Sequence, residues 1–295
     1  MNKTILFGGS GFLGNVFLRD HPEIISVGRT EPHGDLPNKH IPVDINSLQE
    51  LDNLEFDNVI FLVGNSDHHK LNSSCMKGFE HNVLPLKKIL HYLKTREINK
   101  FVCFSSILLY GNEAKDRPVN ENDEIFPYQN EYIFSKYMAE QVCNFYKDQV
   151  PIINVRLCNI YGDTTLIRPD LVPTLIYNTI TTDNPSVWNK SPVRDFIFTS
   201  DAAEAILKLI KTEFEGTINI GSGTSYSVGQ ITEKIEQLSG KNITDQQKKV
   251  NGVMKFEADI SLLKSLTNWS TNHTLEEGLE KTYERMSEDL LRTNV

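Results

Sequence analysis

The chain has 295 residues, a formal net charge of −9, 39% hydrophobic and 23% charged residues, enough for one large or two joined globular domains with a sizeable core. So acidic a surface repels phosphates, which excludes a general nucleic-acid or membrane-surface binder but leaves room for a small anion held by converging arginines. No apolar stretch spans a bilayer, no signal peptide precedes the first β-like run, and Cys75, Cys103, Cys143 and Cys158 lack metal or redox spacing, so a cytoplasmic chain without membrane contact is expected.

In chain order, "KTILFG", "IISV", "HIPV", "NVIFLV", "KFVCFSS" and "PIINVRL" read as strands. Helices are predicted over Phe12–Asp20, Ser47–Asn53, Met76–Arg96 and Glu131–Lys147. Strand–helix alternation of this kind predicts an α/β, Rossmann-like, doubly wound parallel sheet with right-handed crossovers. After residue 160 the rhythm loosens. "RPDLVPTLIYNTI" predicts a helix entered through prolines, and "RDFIFTSDAAEAILKLI" a strand, a turn and a helix capped by Ser200 or Asp201. "GTINIGSG" reads as one more strand, "SVGQITEKIEQLSG" as a capped amphipathic helix stopping at Gly240, and Thr274–Leu291 as a final helix. These elements predict a dinucleotide-binding domain over 1–165, with 194–222 returning to it. A smaller C-terminal substrate-binding lobe takes 166–193 and 223–295.

"ILFGGSGFLGNVFLRD" is a strand, a glycine turn and a helix start. Gly9, Gly11 and Gly14 fit G-x-G-x-x-G, and Gly8, Gly11 and Gly14 fit G-x-x-G-x-x-G. In such a turn one glycine permits the tight bend, the next lets backbone N–H groups approach a pyrophosphate, and the last lets helix and sheet pack closely. Where such folds place an acid on the adenosine ribose, this chain has Gly28 and Arg29. An acid there would repel a 2′-phosphate, whereas Arg29 can pair with one, so NADP(H) is the favoured cofactor. NAD(H) is the alternative, with Arg29 stacked on adenine and Glu31 as the next acid.

In "NEYIFSKYMAE", Tyr132 and Lys136 lie four apart, on one face of a helix. A nearby ammonium favours the phenolate and brings a tyrosine toward the working range of a general acid or base. Ser105 and Ser106 end the strand before it, at the carboxyl edge where doubly wound sheets bind ligands.

The glycine turn, the serine pair, Y-x-x-x-K and their order together resemble the extended short-chain dehydrogenase/reductases, the NAD(P)-dependent epimerase/dehydratase family acting on nucleotide sugars. The resemblance runs nearly end to end. It implies that Tyr132 transfers the proton, Ser106 (four before the tyrosine of "YG") hydrogen-bonds the reacting oxygen, and Lys136 holds the nicotinamide ribose and tunes Tyr132. It assigns cofactor contacts to Gly8, Gly11, Phe12, Leu13, Gly14, Asp44 and Ile45 of "VDI", Leu62, Val63 and Gly64 of "FLVGNS", and Asn82 of "EHNVLP". Substrate contacts fall to Ser106, Asn159 of "VRLCNIYG", Arg194 of "VRDFIFTSD" on the diphosphate, and Asp259 of "FEADISLLKSLTNW". The family's dimer, a bundle of the Met76–Arg96 and Glu131–Lys147 helices, implies a homodimer.

Ile107 and Leu108 stand where the family's 4,6-dehydratases carry an Asp–Glu pair, which argues against water elimination. With the NADP(H) signal and a short C-terminal lobe, the reading favours NADPH-dependent 4-keto reduction of a nucleotide-diphosphate sugar, in polysaccharide biosynthesis. A 4-epimerase with tightly held NAD is the alternative, and a non-catalytic NADP(H)-sensing protein is the alternative of another class. A salt bridge with adjacent Asp195 or with a neighbour is the plain structural alternative for Arg194. The histidines of "NSDHHK" (His68, His69) have no partner spacing for a metal, and none is expected.

Overall fold

The computed structural model describes residues 3–162, 170–250 and 252–293. The expected domain boundary at 165–166 and the proline at 169 lie outside the described residues. Strands β1 (Thr4–Phe7), β2 (Ile25–Gly28), β3 (His40–Pro42), β4 (Asn58–Phe61), β5 (Lys100–Ser106), β6 (Ile152–Leu157) and β10 (Gly216–Ile220) make one seven-stranded sheet, ordered β10-β6-β5-β4-β1-β2-β3. The registers β1–β2, β1–β4, β2–β3, β4–β5 and β5–β6 are all parallel. The fold is therefore the expected Rossmann-like doubly wound sheet. Its strands are nearly continuous apolar runs because helices cover both faces. Phe7, Phe61 and Phe101 on adjacent strands stack their rings 5.7 and 5.8 Å apart in the core.

The chain divides into two compact units: residues 1–111, 124–157 and 206–218 form the first, and 112–123, 158–205 and 219–295 the second. In the first unit, α1 (Phe12–Asp20), α2 (His68–Asn72), α3 (Leu84–Leu93) and α4 (Glu131–Tyr146) flank the sheet. Two predicted helices are shorter than expected. Only Leu48–Leu51 of the segment 47–53 is helical, as a 3-10 turn. The segment 76–96 is helical over 77–93, with a π turn, Phe79–Val83, set into it ahead of α3. The π turn inserts a residue into the helical ladder and re-aims Asn82.

The second unit has a three-stranded sheet ordered β11 (Ser225–Ser227), β9 (Val193–Phe198), β7 (Asn159–Tyr161), and a short pair of β8 (Ser186–Val187) with β12 (Thr244–Asp245). Its helices are α5 (Leu171–Thr181), α6 (Thr199–Ile210, which runs on into the first unit), α7 (Val228–Ser239), α8 (Ser261–Thr267) and α9 (Leu275–Thr293). Val172, Ile176, Phe196, Phe198, Ile231, Ile235 and Leu279 fill its core. α7 starts on a reciprocal capping box between Ser227 and Gln230 and stops at Gly240 in the left-handed conformation, φ +69°. α6 starts one residue before the expected cap. Asp201 instead accepts the backbone N–H of Asn272 and His273, fixing the approach to α9. No described helix is long and apolar enough to cross a membrane.

Candidate active site

The glycine turn sits between β1 and α1. Gly8 has φ +89°, a conformation L side chains avoid, and a Cβ on it would lie 3.0 Å from the Leu62 carbonyl carbon. A Cβ on Gly14 would overlap the Gly8 carbonyl outright. Gly11 caps α1 with no side-chain hydrogen bond. A bare turn ahead of a helix N-terminus is a cradle for a phosphate chain, so these residues fit a dinucleotide. Phe12 and Leu13 are buried, so what they offer a ligand is backbone. Arg29 is exposed just past β2, and among the described residues no carboxylate pairs with it. Asp44 uses Oδ1 to accept from Asn46 N (2.8 Å) and Asn46 Nδ2 (2.7 Å), while Ile45 packs on the core.

Past β4, Leu62 and Val63 are half-buried and Gly64 is exposed. Asn82 governs this loop. Its Oδ1 accepts from Asn65 N at 2.7 Å, and its Nδ2 donates to Asn65 O at 3.1 Å and to Ser135 Oγ at 2.8 Å. Ser135 Oγ in turn donates to the Tyr132 carbonyl at 2.7 Å. The side chain expected on the cofactor thus joins the loop after β4 to the backbone of α4.

The Ser–Tyr–Lys group assembles at the carboxyl end of β5. Ser106, 7% exposed, ends the strand and accepts Leu108 N at 3.2 Å, opening the 3-10 turn Ile107–Tyr110. Tyr132, 5% exposed, packs with Leu109 of that turn and with Leu71 and Ile133. Lys136 Nζ donates to Phe104 O at 2.9 Å and lies 5.9 Å from the Tyr132 ring centroid. Two asparagines start α4: Asn130 accepts Ile133 N at 2.9 Å and Asn72 accepts Tyr132 N at 3.2 Å. Asn130 was legible as a cap, being the asparagine before the first helical residue. Asn72 was not, because its contact is made across the fold. A cleft of about 440 Å³ lined by Asn72, Tyr128, Asn130, Glu131 and Phe134 opens beside this turn.

One turn beyond Lys136, Glu140 meets Arg156 of β6 in a buried fork, Nε–Oε1 3.0 Å and Nη2–Oε2 2.8 Å. Arg156 Nη1 also donates to Tyr110 Oη at 3.0 Å. Burial alone would lower the Arg156 pKa, but the hydrogen bonds and charge of Glu140 outweigh it and hold the guanidinium above its ordinary value.

In the second unit, Arg194 and Asp195 of β9 part company. Arg194 Nε donates to Val253 O at 3.2 Å, burial lowers its pKa, and among the described residues no carboxylate pairs with it. Asp195 is fully buried and accepts Ser222 N (2.8 Å), Ser222 Oγ (2.8 Å), Gly223 N (3.0 Å) and Ala258 N (3.3 Å). Burial pushes its carboxyl up to about 6 against the pull of those donors. The structural alternative of an Arg194–Asp195 pair is thus not what the chain adopts. Asn159 donates to Asp195 O at 3.1 Å. Asp259 accepts Ser261 N at 2.9 Å, and its hydrogen bonds to Ser261 hold its carboxyl below the usual range.

The NAD dependent epimerase/dehydratase family matches residues 4–221. The chain belongs to that family and is an enzyme of the extended short-chain dehydrogenase/reductase type. It is similar to the uncharacterized UDP-glucose epimerase YtcB of Bacillus subtilis (strain 168), 28% identical over 68% of this chain and 64% of that protein, just under two thirds of its length. The GDP-6-deoxy-D-talose 4-dehydrogenase of Aggregatibacter actinomycetemcomitans is 29% identical over 80% of each chain. Among solved structures, MoeE5 in complex with UDP-glucose and NAD shares the fold with a TM-score of 0.84 and 22% identity, over 98% of this chain and 100% of that one.

Proposed function

We propose that the protein reduces the 4-keto group of a nucleotide-diphosphate sugar at the expense of NADPH. The observation that carries this reading is the grouping of Ser106, Tyr132 and Lys136 around the end of β5, at the same carboxyl edge of the sheet as a turn shaped for a dinucleotide. The bound nicotinamide would supply the hydride. Ser106 would hydrogen-bond the carbonyl oxygen, Tyr132 would give that oxygen its proton, and the Lys136 ammonium would stabilise the negative charge left on the phenolate. Gly8, Gly11, Phe12, Leu13 and Gly14 would hold the pyrophosphate, and Arg29 the 2′-phosphate. Asp44, Ile45, Leu62, Val63 and Gly64 would line the adenosine and ribose, with Asn82 shaping that wall. Asn159, Arg194 and Asp259 would meet the substrate, with Arg194, which no carboxylate among the described residues pairs, forking onto the diphosphate.

The 4-dehydrogenase relative supports hydride chemistry at carbon 4. The epimerase relative supports the second reading, a 4-epimerase that returns the hydride to its substrate. Adding the enzyme to a nucleotide 4-keto sugar and following the NADPH absorbance separates them. Stoichiometric oxidation is the expected result; isomerisation without net absorbance change would establish the epimerase instead. Tyr132→Phe is expected to lower turnover by roughly 10²–10⁴ with dinucleotide binding retained, and unchanged turnover would sink the proton-transfer role. Turnover by wild type on no nucleotide sugar would favour the sensing protein. A homodimer through α3 and α4 is part of the proposal, supported by Phe145 at 71% and Phe134 at 37% exposure on α4. Light scattering on the purified chain tests it, a monomer being the contrary result.

A further inference from the structure

Tyr132, Lys136 and Glu140 stand at successive i, i+4 positions, on one face of α4. Lys136 ties that face to β5 through Phe104 O. Glu140 ties it to β6 through Arg156, whose Cα lies opposite Ser105, the neighbour of Ser106. The third arm of Arg156 reaches Tyr110, the last residue of the 3-10 turn that Ser106 opens. One guanidinium thus grips both elements that bear the proton-transfer group: the helix of Tyr132 through Glu140, and the turn after Ser106 through Tyr110.

Stability alone is a weak reason for this arrangement. Both side chains of the ion pair are 7% exposed, and taking two charges out of water costs so much that apolar pairs of similar volume often serve as well or better. A bidentate fork does supply what apolar packing does not, a fixed direction and a fixed register. We propose that Arg156 is a positioning residue that sets the separation of the Ser106 and Tyr132 hydroxyls, by holding Glu140 and Tyr110 in a single planar grip. The inference rests on the reading of Ser106, Tyr132 and Lys136 as the proton-transfer group.

The test is the double variant Glu140→Met, Arg156→Met, which removes opposite charges together and leaves no buried ion unpaired. Its melting temperature is expected at or above that of wild type. Its kcat should fall at least about tenfold, since misplacement by about 1 Å costs up to roughly a hundredfold, while KM and dinucleotide affinity stay within about twofold. A merely structural pair would behave otherwise, with kcat recovering along with stability, and a wild-type kcat in a stable double variant overturns the proposal. If the double variant does not fold, Tyr110→Phe cuts one arm and leaves the ion pair intact. It should lower kcat about threefold or more while KM and dinucleotide affinity stay within about twofold, and wild-type kcat there overturns the proposal too. Crystals of wild type and variant give an arm independent of turnover. The Ser106 Oγ to Tyr132 Oη distance should differ between them, and equal distances refute the positioning role even if the substrate class is wrong.

Discussion

Asn82 and Ser135, far apart in the chain, meet at 2.8 Å through Nδ2 and Oγ in a buried contact. Through it the loop after β4 is coupled to the Tyr132 carbonyl. Asn82→Ala takes from the half-buried Asn65 N–H its acceptor and from the buried Ser135 oxygen a donor, leaving Ser135 bonded to the Tyr132 carbonyl; each lost bond costs about 0.5–1.5 kcal/mol. Thermal melting should drop by several degrees and dinucleotide affinity should weaken, Ser135→Ala acting in the same direction but less. Wild-type melting and affinity in Asn82→Ala would refute the coupling.

Gly14 and Gly240 are both glycines of necessity, for different reasons. Gly14→Ala drives a methyl into the Gly8 carbonyl and should weaken dinucleotide binding by more than roughly tenfold, since the phosphate cradle must move. Gly240→Ala puts a side chain at φ +69° in open space, which should cost about 1–2 kcal/mol of stability and leave binding untouched. Calorimetric titration and urea unfolding of both variants check the contrast.

Arg29→Ala should weaken NADP(H) binding about tenfold or more, as expected for loss of a charge-assisted hydrogen bond of about 1.5–3 kcal/mol, with NAD(H) binding unchanged. Fluorescence titration with each dinucleotide measures this. Equal losses for both would reassign Arg29 to the adenine ring.

Asp195 makes stability depend on pH in an uncommon direction for a carboxylate. Its folded pKa of about 6 lies above the ordinary value, so the folded chain binds the proton more tightly than the unfolded one. Its contribution is full below about pH 4 and is lost as pH rises through 6, a swing of roughly 2–3 kcal/mol. Other carboxylates oppose this, so the comparison is with Asp195→Asn. Between pH 4.5 and 7, wild type should lose more, or gain less, unfolding free energy than the variant; parallel profiles would contradict the buried, raised carboxyl.

Much of this was legible in the residues. Strand and helix alternation, the glycine turn, the Ser227–Gln230 cap and the Gly240 stop each follow from local chemistry, and the structure has them. What escaped is set by partners distant in sequence. The π turn at Phe79–Val83 looks like ordinary helix until Asn82 is seen reaching Asn65 and Ser135. Asp201 reads as a cap until the approach to α9 claims its carboxylate. Strands β7, β8, β11 and β12 are two or three residues long, too short for any alternation to register. At the site, Y-x-x-x-K is visible in a line of text, but the fork of Glu140 and Arg156 needs a strand and a helix laid side by side.

β6 lies between β5 and β10 in the sheet, and the chain reaches β10 only after residues 158–205 have gone to the second unit. During synthesis, β6 therefore leaves the ribosome with one flank of backbone amides and carbonyls bare, and stays so until Gly216–Ile220 follows. A stalled or truncated nascent chain ending in that interval presents a sticky edge. Chaperone capture during translation should be concentrated there.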